Sequence, residues 1–168
     1  MKTFGLVLSG GGVRALAHAG MLKALDEHHL RPVVISGTSG GALVGALYAS
    51  GKTPEQLLDF FKQTPLFKFS MLSLGKMGLI NSNKYPALFE KYLSCTTFEE
   101  LSIPLYVAAT NLLSGKITYF SKGDLIAPMV ASSALPPYFS PIKIGEGVYC
   151  DGGLLNNFPI EPLKGKCD

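Results

Sequence analysis

Gly37-Thr38-Ser39-Gly40-Gly41 follows the apolar run Val33-Val34-Ile35 directly and precedes a helix-like run from Ala42 to Ala49. The order predicted is strand, sharp turn, helix. A serine at the tip of such a turn sits in strained backbone, and side chains on its neighbours would clash, so glycine is required around it. The turn presents a hydroxyl at a helix N-terminus, where the dipole favours developing negative charge. Ser39 therefore reads as a nucleophile, with Gly37 and Gly41 as the glycines of its elbow. The competing reading is that small residues pack a strand on a helix and Ser39 is only a cap.

Composition narrows the class. A chain of 168 residues fits one domain, and 47% hydrophobic residues supply a core. With only 16% charged residues, a net charge of +3 and scattered lysines, there is no nucleic-acid footprint. A mildly basic surface suits an anionic membrane. Cys95, Cys150 and Cys167 form an odd set without C-x-x-C, which argues against a disulfide framework or a zinc site. A reducing, cytoplasmic compartment fits that usage. Phe4 to Leu8 is too short for a signal peptide and is interrupted by Gly10-Gly11-Gly12 and Arg14. Val33 to Gly51 is uncharged and approaches spanning length. Ser36 to Gly41 fall inside it, so a buried strand–turn–helix explains it better.

Along the chain, Phe4 to Leu8 predicts a strand running into the glycine loop. Val13 to His29 predicts a helix with Leu16, Ala19, Leu22 and Leu25 on one face. Gly51 ends the next helix as a C-cap would. Thr53-Pro54-Glu55-Gln56 opens another, with Thr53 as N-cap and Gln56 completing a capping box. The stretch 64–85 is apolar without a clean period, as lids and binding surfaces are, or as core under a loop is. A helix follows over Asn83 to Leu93, and Thr97 to Leu101 reads as one capped turn. Pro104 to Thr110 and Ile117 to Phe120 read as a strand and a returning strand around Ser114-Gly115. Leu125 to Ala134 is a small-residue helix stopped by Pro136-Pro137, and Gly147 to Cys150 a last strand ending at Asp151-Gly152-Gly153. Strands alternating with helices predict an α/β fold with a mostly parallel sheet covered on both faces.

Two further features carry chemistry. Gly10-Gly11-Gly12-Val13-Arg14-Ala15, between strand and helix, can aim backbone N–H groups at one anion. A dinucleotide reading needs an acidic residue at the end of the second strand, and Ile35-Ser36-Gly37 stands there. A P-loop needs Gly-Lys-Ser/Thr, which is missing. An oxyanion hole remains, in which each donor is typically worth about 3–4 kcal/mol. The nucleophile also needs a base. His18, His28 and His29 all precede Ser39, whereas an α/β-hydrolase places its histidine after the serine. His18 reads as packing or a structural hydrogen bond. Asp151, at a strand end with two glycines behind it, is the better base; alone, it would read as an Asx-turn.

Taken together, the chain resembles the patatin-like phospholipase family over nearly its whole length. The resemblance rests on Gly10-Gly11-Gly12-x-Arg14, His18 and Gly20, the Gly37 to Gly41 elbow, the run Ala131-Ser132-Ser133-Ala134-x-Pro136, and Asp151-Gly152-Gly153. It implies a three-layer α/β/α architecture like that of the malonyl transacylases and lysophospholipases. It further implies a Ser39–Asp151 dyad without histidine, an oxyanion hole from Gly10, Gly11 and Gly12 with Arg14 nearby, and no metal or organic cofactor. The pattern departs from the family at Ala15, where glycine is common, and at Cys167-Asp168, where family domains continue. One domain over 1–168, incomplete at its C-terminus, is expected. The expected activity is hydrolysis of lipid acyl esters of the phospholipase A or lysophospholipase type, with peripheral membrane contact through 64–85. An acyltransferase or a non-catalytic lipid-binding module are the alternatives. Burial is expected to raise the Asp151 pKa into a range useful for a base.

Overall fold

A computed structural model describes residues 2–63 and 85–168. The expected membrane-contacting surface through 64–85 lies outside these residues apart from its last position. The elements are β1 (Gly5–Leu8), a 3-10 turn (Gly12–Ala15), α1 (Leu16–Glu27), β2 (Val34–Thr38), α2 (Gly40–Ala49), α3 (Pro54–Gln63) and α4 (Tyr85–Tyr92). After a short 3-10 turn at Phe98–Glu100 come β3 (Leu105–Asn111), β4 (Lys116–Phe120), α5 (Ile126–Ser132), β5 (Ile142–Ile144) and β6 (Gly147–Asp151).

Local rules account for most boundaries. Thr53 N–H donates to Gln56 Oε1 at 2.9 Å and Gln56 N–H to Thr53 Oγ1 at 3.4 Å, the reciprocal box that starts α3. At the end of α2, Gly51 has φ +92°, and the N–H groups of Gly51 and Lys52 reach back to the carbonyls of Tyr48 and Leu47, each at 3.0 Å. That is a Schellman ending, which needs a residue at ease with positive φ. The first helix begins later than its apolar spacing predicts, because Gly12–Ala15 winds as a 3-10 turn. The three-residue β5 was not anticipated. It is too short for an alternating pattern to register, and Pro141 and Gly145 flank it.

The sheet runs β1-β2-β3-β6-β5, with β4 also on β3. Strands β1, β2 and β3 are mutually parallel. β4 and β6 oppose β3, and β5 opposes β6. Thus β1, β2, β3 and β5 point one way, and the sheet is mixed but mostly parallel, as expected. Its apolar face packs with the helices in one contiguous core that includes Leu8, Leu22, Ile35, Val44, Leu57, Phe60, Val107 and Met129. Every residue of α2 is buried, which is why that helix is apolar all round. On the opposite face, Ser36 and Thr38 of β2 are fully buried yet satisfied. Ser36 Oγ donates to the Pro159 carbonyl, and Thr38 Oγ1 donates to the Asn156 carbonyl at 3.0 Å. The chain after β6, with 3-10 turns at Gly152–Leu154 and Glu161–Leu163, is therefore tied to that face.

One feature of the register positions the site. Ala108 pairs with Thr38 of β2 on one side and Tyr119 of β4 on the other. The next residue, Ala109, pairs with Thr118 of β4 and with Asp151 of β6. Strands β2 and β6 therefore share one edge of β3 and run toward each other. Their C-terminal ends meet head to head between Ala108 and Ala109, which brings the residue after Thr38 up against Asp151.

Candidate active site

The elbow is built as the glycine spacing requires. Ser39 has φ 53° and ψ −126°, a left-handed conformation unusual for a residue with a side chain. A Cβ on Gly37 would lie 2.7 Å from the Ala42 nitrogen, and one on Gly41 would run into the carbonyls of Leu8 and Ser9. Both obstacles are backbone, so neither can step aside. Ser39 stands at the N-cap of α2, but its hydroxyl caps nothing there. Instead, Ser39 Oγ donates to Asp151 Oδ2 at 2.7 Å. The simple capping reading of Ser39 therefore fails.

Asp151 closes an Asx-type turn and meets Ser39 at once. Oδ2 receives the Ser39 hydroxyl, while Oδ1 accepts the Gly153 N–H at 2.7 Å, closing an Asx-type turn. Its backbone is pinned as well. Asp151 N–H donates to the Ala134 carbonyl at 3.0 Å, and the Asp151 carbonyl accepts the Thr110 hydroxyl at 3.0 Å. The residue is only 4% exposed. Burial pushes its carboxyl pKa above the ordinary carboxylate value of 3.8, against the opposing pull of the Ser39 and Gly153 hydrogen bonds. The two glycines behind it have separate tasks. A Cβ on Gly152 would strike the backbone of Ala108, whereas one on Gly153 would crowd Asp151 Oδ1 and Asn157 Oδ1, each at 3.0 Å. The Gly152 position is thus tight against β3 and also against Thr38 of the elbow, whose Cγ2 would lie 3.2 Å from a Cβ there.

The glycine loop lies against the elbow. A Cβ built on Gly10 would fall 3.2 Å from Ser39 Cβ, and one on Gly40 would fall 2.9 Å from the Gly12 carbonyl oxygen. Gly10 N–H is already committed to the Asn157 carbonyl at 3.2 Å, and Arg14 N–H to the Gly11 carbonyl at 3.0 Å. Among the described residues, the N–H groups of Gly11 and Gly12 have no acceptor. The Arg14 side chain is exposed. The Ala15 methyl takes the space that glycine at position 40 leaves open, 2.7 Å from where a Cβ there would sit. That is how this chain accommodates alanine at position 15. His18 Nε2 donates to the Ser9 carbonyl at 2.9 Å, the structural role expected of it.

Three supporting residues were given no role by sequence reasoning: Asn157 was not singled out, and Thr38 and Ser132 were named only as members of their motifs. Asn157 braces the glycine loop through its carbonyl and through Nδ2, which donates to the Gly10 carbonyl at 3.3 Å. Thr38 ties the elbow to Asn156. Ser132, fully buried at the end of α5, accepts the Ser39 backbone N–H at 2.8 Å and donates to the Ala108 carbonyl at 2.7 Å. The available signal was polarity, since each is a hydrogen-bonding side chain set in a small or apolar run. Among the described residues no cluster of His, Cys, Asp and Glu is arranged to hold a metal ion.

The mixed α/β sheet thus brings together a serine elbow, a glycine loop beside it and an aspartate at a facing strand end. The family model for patatin-like phospholipases matches residues 6–164, and the chain belongs to that family. An uncharacterised NTE family protein of Mycobacterium tuberculosis is 32% identical over 162 residues, covering 95% of this chain and 45% of that one. Lysophospholipase nte1 of Aspergillus fumigatus is 28% identical over 170 residues, covering 98% of this chain and 11% of its own length. The chain therefore spans less than half the length of these relatives. Among solved structures, VipD from Legionella pneumophila superposes with a TM-score of 0.73 at 17% identity, over 95% of this chain and 47% of that chain. ExoU of Pseudomonas aeruginosa, solved with SpcU, gives 0.54 at 17% identity, over 80% of this chain and 39% of its own. These two share the fold.

Proposed function

We propose that this chain is a serine hydrolase of lipid acyl esters, working through Ser39 and Asp151. The observation that carries the reading is the 2.7 Å hydrogen bond from Ser39 Oγ to a buried carboxylate whose pKa burial raises. Asp151 accepts the hydroxyl proton as Ser39 Oγ attacks the ester carbonyl carbon. The carbonyl oxygen becomes an oxyanion and is received by the N–H groups of Gly11 and Gly12, with the N-terminus of α2 adding its dipole. Collapse breaks the ester C–O bond, and the departing alcohol takes the proton from Asp151. Water then attacks the acyl-enzyme, gives its proton to Asp151, and releases the fatty acid as Ser39 regains a proton. His18 has no part in these steps, because its Nε2 is held by the Ser9 carbonyl.

The lipid class is supported by the family and by the lysophospholipase names among the relatives. Among the described residues no helix is long and apolar enough to cross a membrane. The test is release of fatty acid from lysophosphatidylcholine and phosphatidylcholine, quantified by mass spectrometry for the wild type and Ser39→Ala. Release by the wild type that falls to background in Ser39→Ala is expected. Equal release by both proteins, or none from any acyl ester by a folded wild type, would overturn the proposal.

A further inference from the structure

The β2–β3 ladder stops one rung early, and a side chain replaces the missing rung. Ile35 N–H donates to the Pro104 carbonyl at 2.8 Å. With Ile35 opposite Leu105 and Gly37 opposite Val107, the same phase carried two residues further would point Ser39 N–H at the Ala108 carbonyl. That bond is not made. Ser132 Oγ stands between the two groups, accepting from Ser39 N–H at 2.8 Å and donating to the Ala108 carbonyl at 2.7 Å. One buried hydroxyl keeps both backbone groups satisfied while the chain leaves the sheet. Without it, Ser39 N–H and the Ala108 carbonyl would either remain unpaired in a dry site or draw together.

We infer that Ser132 is a positioning residue for the nucleophile, a spacer that holds the Ser39 elbow off β3 in its left-handed conformation. The inference rests on the dyad reading given above. Position matters here because Ala108 and Ala109 are adjacent, and they carry the ends of β2 and β6 respectively. Anything that changes the gap between Ser39 and Ala108 also changes the gap between Ser39 Oγ and Asp151. The neighbouring Ser133 supplies an internal control. Its hydroxyl is also buried, at the end of the same helix, yet has no hydrogen-bond partner among the described residues. Two consecutive serines thus differ in the one property the inference uses.

The experiment compares turnover of a soluble p-nitrophenyl acyl ester by the wild type, Ser39→Ala, Ser132→Ala, Ser132→Thr and Ser133→Ala, with Tm recorded for each. Ser132→Ala is expected to lower kcat by about 10²-fold, the scale set by misplacing a reacting group by an ångström, with KM within twofold. Ser132→Thr, which keeps the hydroxyl, should recover most of that loss, and Ser133→Ala should match the wild type. Ser132→Ala with kcat within threefold of the wild type would overturn the role, and so would an equal kcat loss in Ser132→Ala and Ser133→Ala. The second comparison holds even if the bulkier threonine fails to fold. Turnover retained by Ser39→Ala would instead bring down the dyad reading itself. The pattern in which Ser39→Ala is inactive and Ser132→Ala is fully active removes only the positioning role.

Discussion

Asp151 divides its work between two oxygens. Oδ1 closes its own turn onto Gly153, and Oδ2 receives Ser39. The division holds the carboxylate in place and leaves Oδ2 for Ser39, as the proposed dyad requires. The carboxyl pKa is raised, so the folded state holds this proton more tightly than the unfolded chain does. The stabilising contribution is therefore present below the ordinary carboxylate pKa and is lost as pH rises through the raised value, above which a charge is buried. Asp151→Asn keeps an oxygen for Gly153 N–H and removes that charge. Its Tm relative to the wild type is expected to rise as pH increases through the raised Asp151 pKa, with ester turnover reduced on the order of 10²–10⁴-fold, the usual contribution of a general base. A Tm difference between the two proteins that does not change with pH would contradict the burial account. At this scale the sequence was legible where a spacing rule exists: G-x-S-x-G between strand and helix marks the Ser39 turn, whereas Asp151-Gly152-Gly153 alone reads as an Asx-turn and points to Ser39 only beside the other motifs. Ser132 was not legible as a functional residue, because nothing in Ala131-Ser132-Ser133-Ala134 says which hydroxyl meets the elbow.

The elbow depends on how closely α2 can approach β1, and Gly41 sets that distance. A Cβ there meets the carbonyls of Leu8 and Ser9, which belong to the strand end and the glycine loop. Gly41→Ala is expected to destabilise by about 1–3 kcal/mol, as overpacking typically does. That would lower Tm by roughly 2–4 °C per kcal/mol in a domain of this size. Unchanged Tm and turnover would show that the approach is not tight. At its other end, α2 is tied to α1 by the Tyr48 hydroxyl, which donates to Asp26 Oδ1 at 2.5 Å. Burial, then the hydrogen bond to Asp26, pushes the Tyr48 pKa from 10.0 to about 12. A raised folded-state pKa means this contribution is intact below pH 10 and is lost as the pH rises toward 12. The urea midpoint should therefore fall further between pH 9 and 11 in the wild type than in Tyr48→Phe; parallel falls would contradict the tie. Elements with strong local signals, such as the Thr53 box and the Gly51 ending, were read at their true positions. β5 was not, since three residues carry no period.

Across the whole molecule, the meeting of Ser39 and Asp151 follows from the topology. The parallel order of β1, β2 and β3 was legible from alternating strands and helices. The reversed entry of β6 was not, because its direction is set by pairing with the far half of β3 rather than by any local pattern. That reversal is what turns two distant strand ends toward each other. The chain after Asp151 then locks the junction through Thr38 to Asn156, Ser36 to Pro159 and Gly10 to Asn157. Thr38→Val, equal in shape but without the hydroxyl, should lose about 1 kcal/mol because the part-buried Asn156 carbonyl is left without its donor. An unchanged urea midpoint would mean this segment does not hold the site together.

The most direct test of the account is the pH dependence of covalent labelling of Ser39 by a fluorophosphonate, read by intact mass beside Ser39→Ala and Asp151→Asn. A single adduct at Ser39 is predicted, absent in Ser39→Ala. Its rate should rise with pH through a limb lying above the ordinary carboxylate pKa, and Asp151→Asn should both slow the labelling and flatten the limb. An identical rate and pH profile in the wild type and Asp151→Asn would contradict the claim that Asp151 activates Ser39.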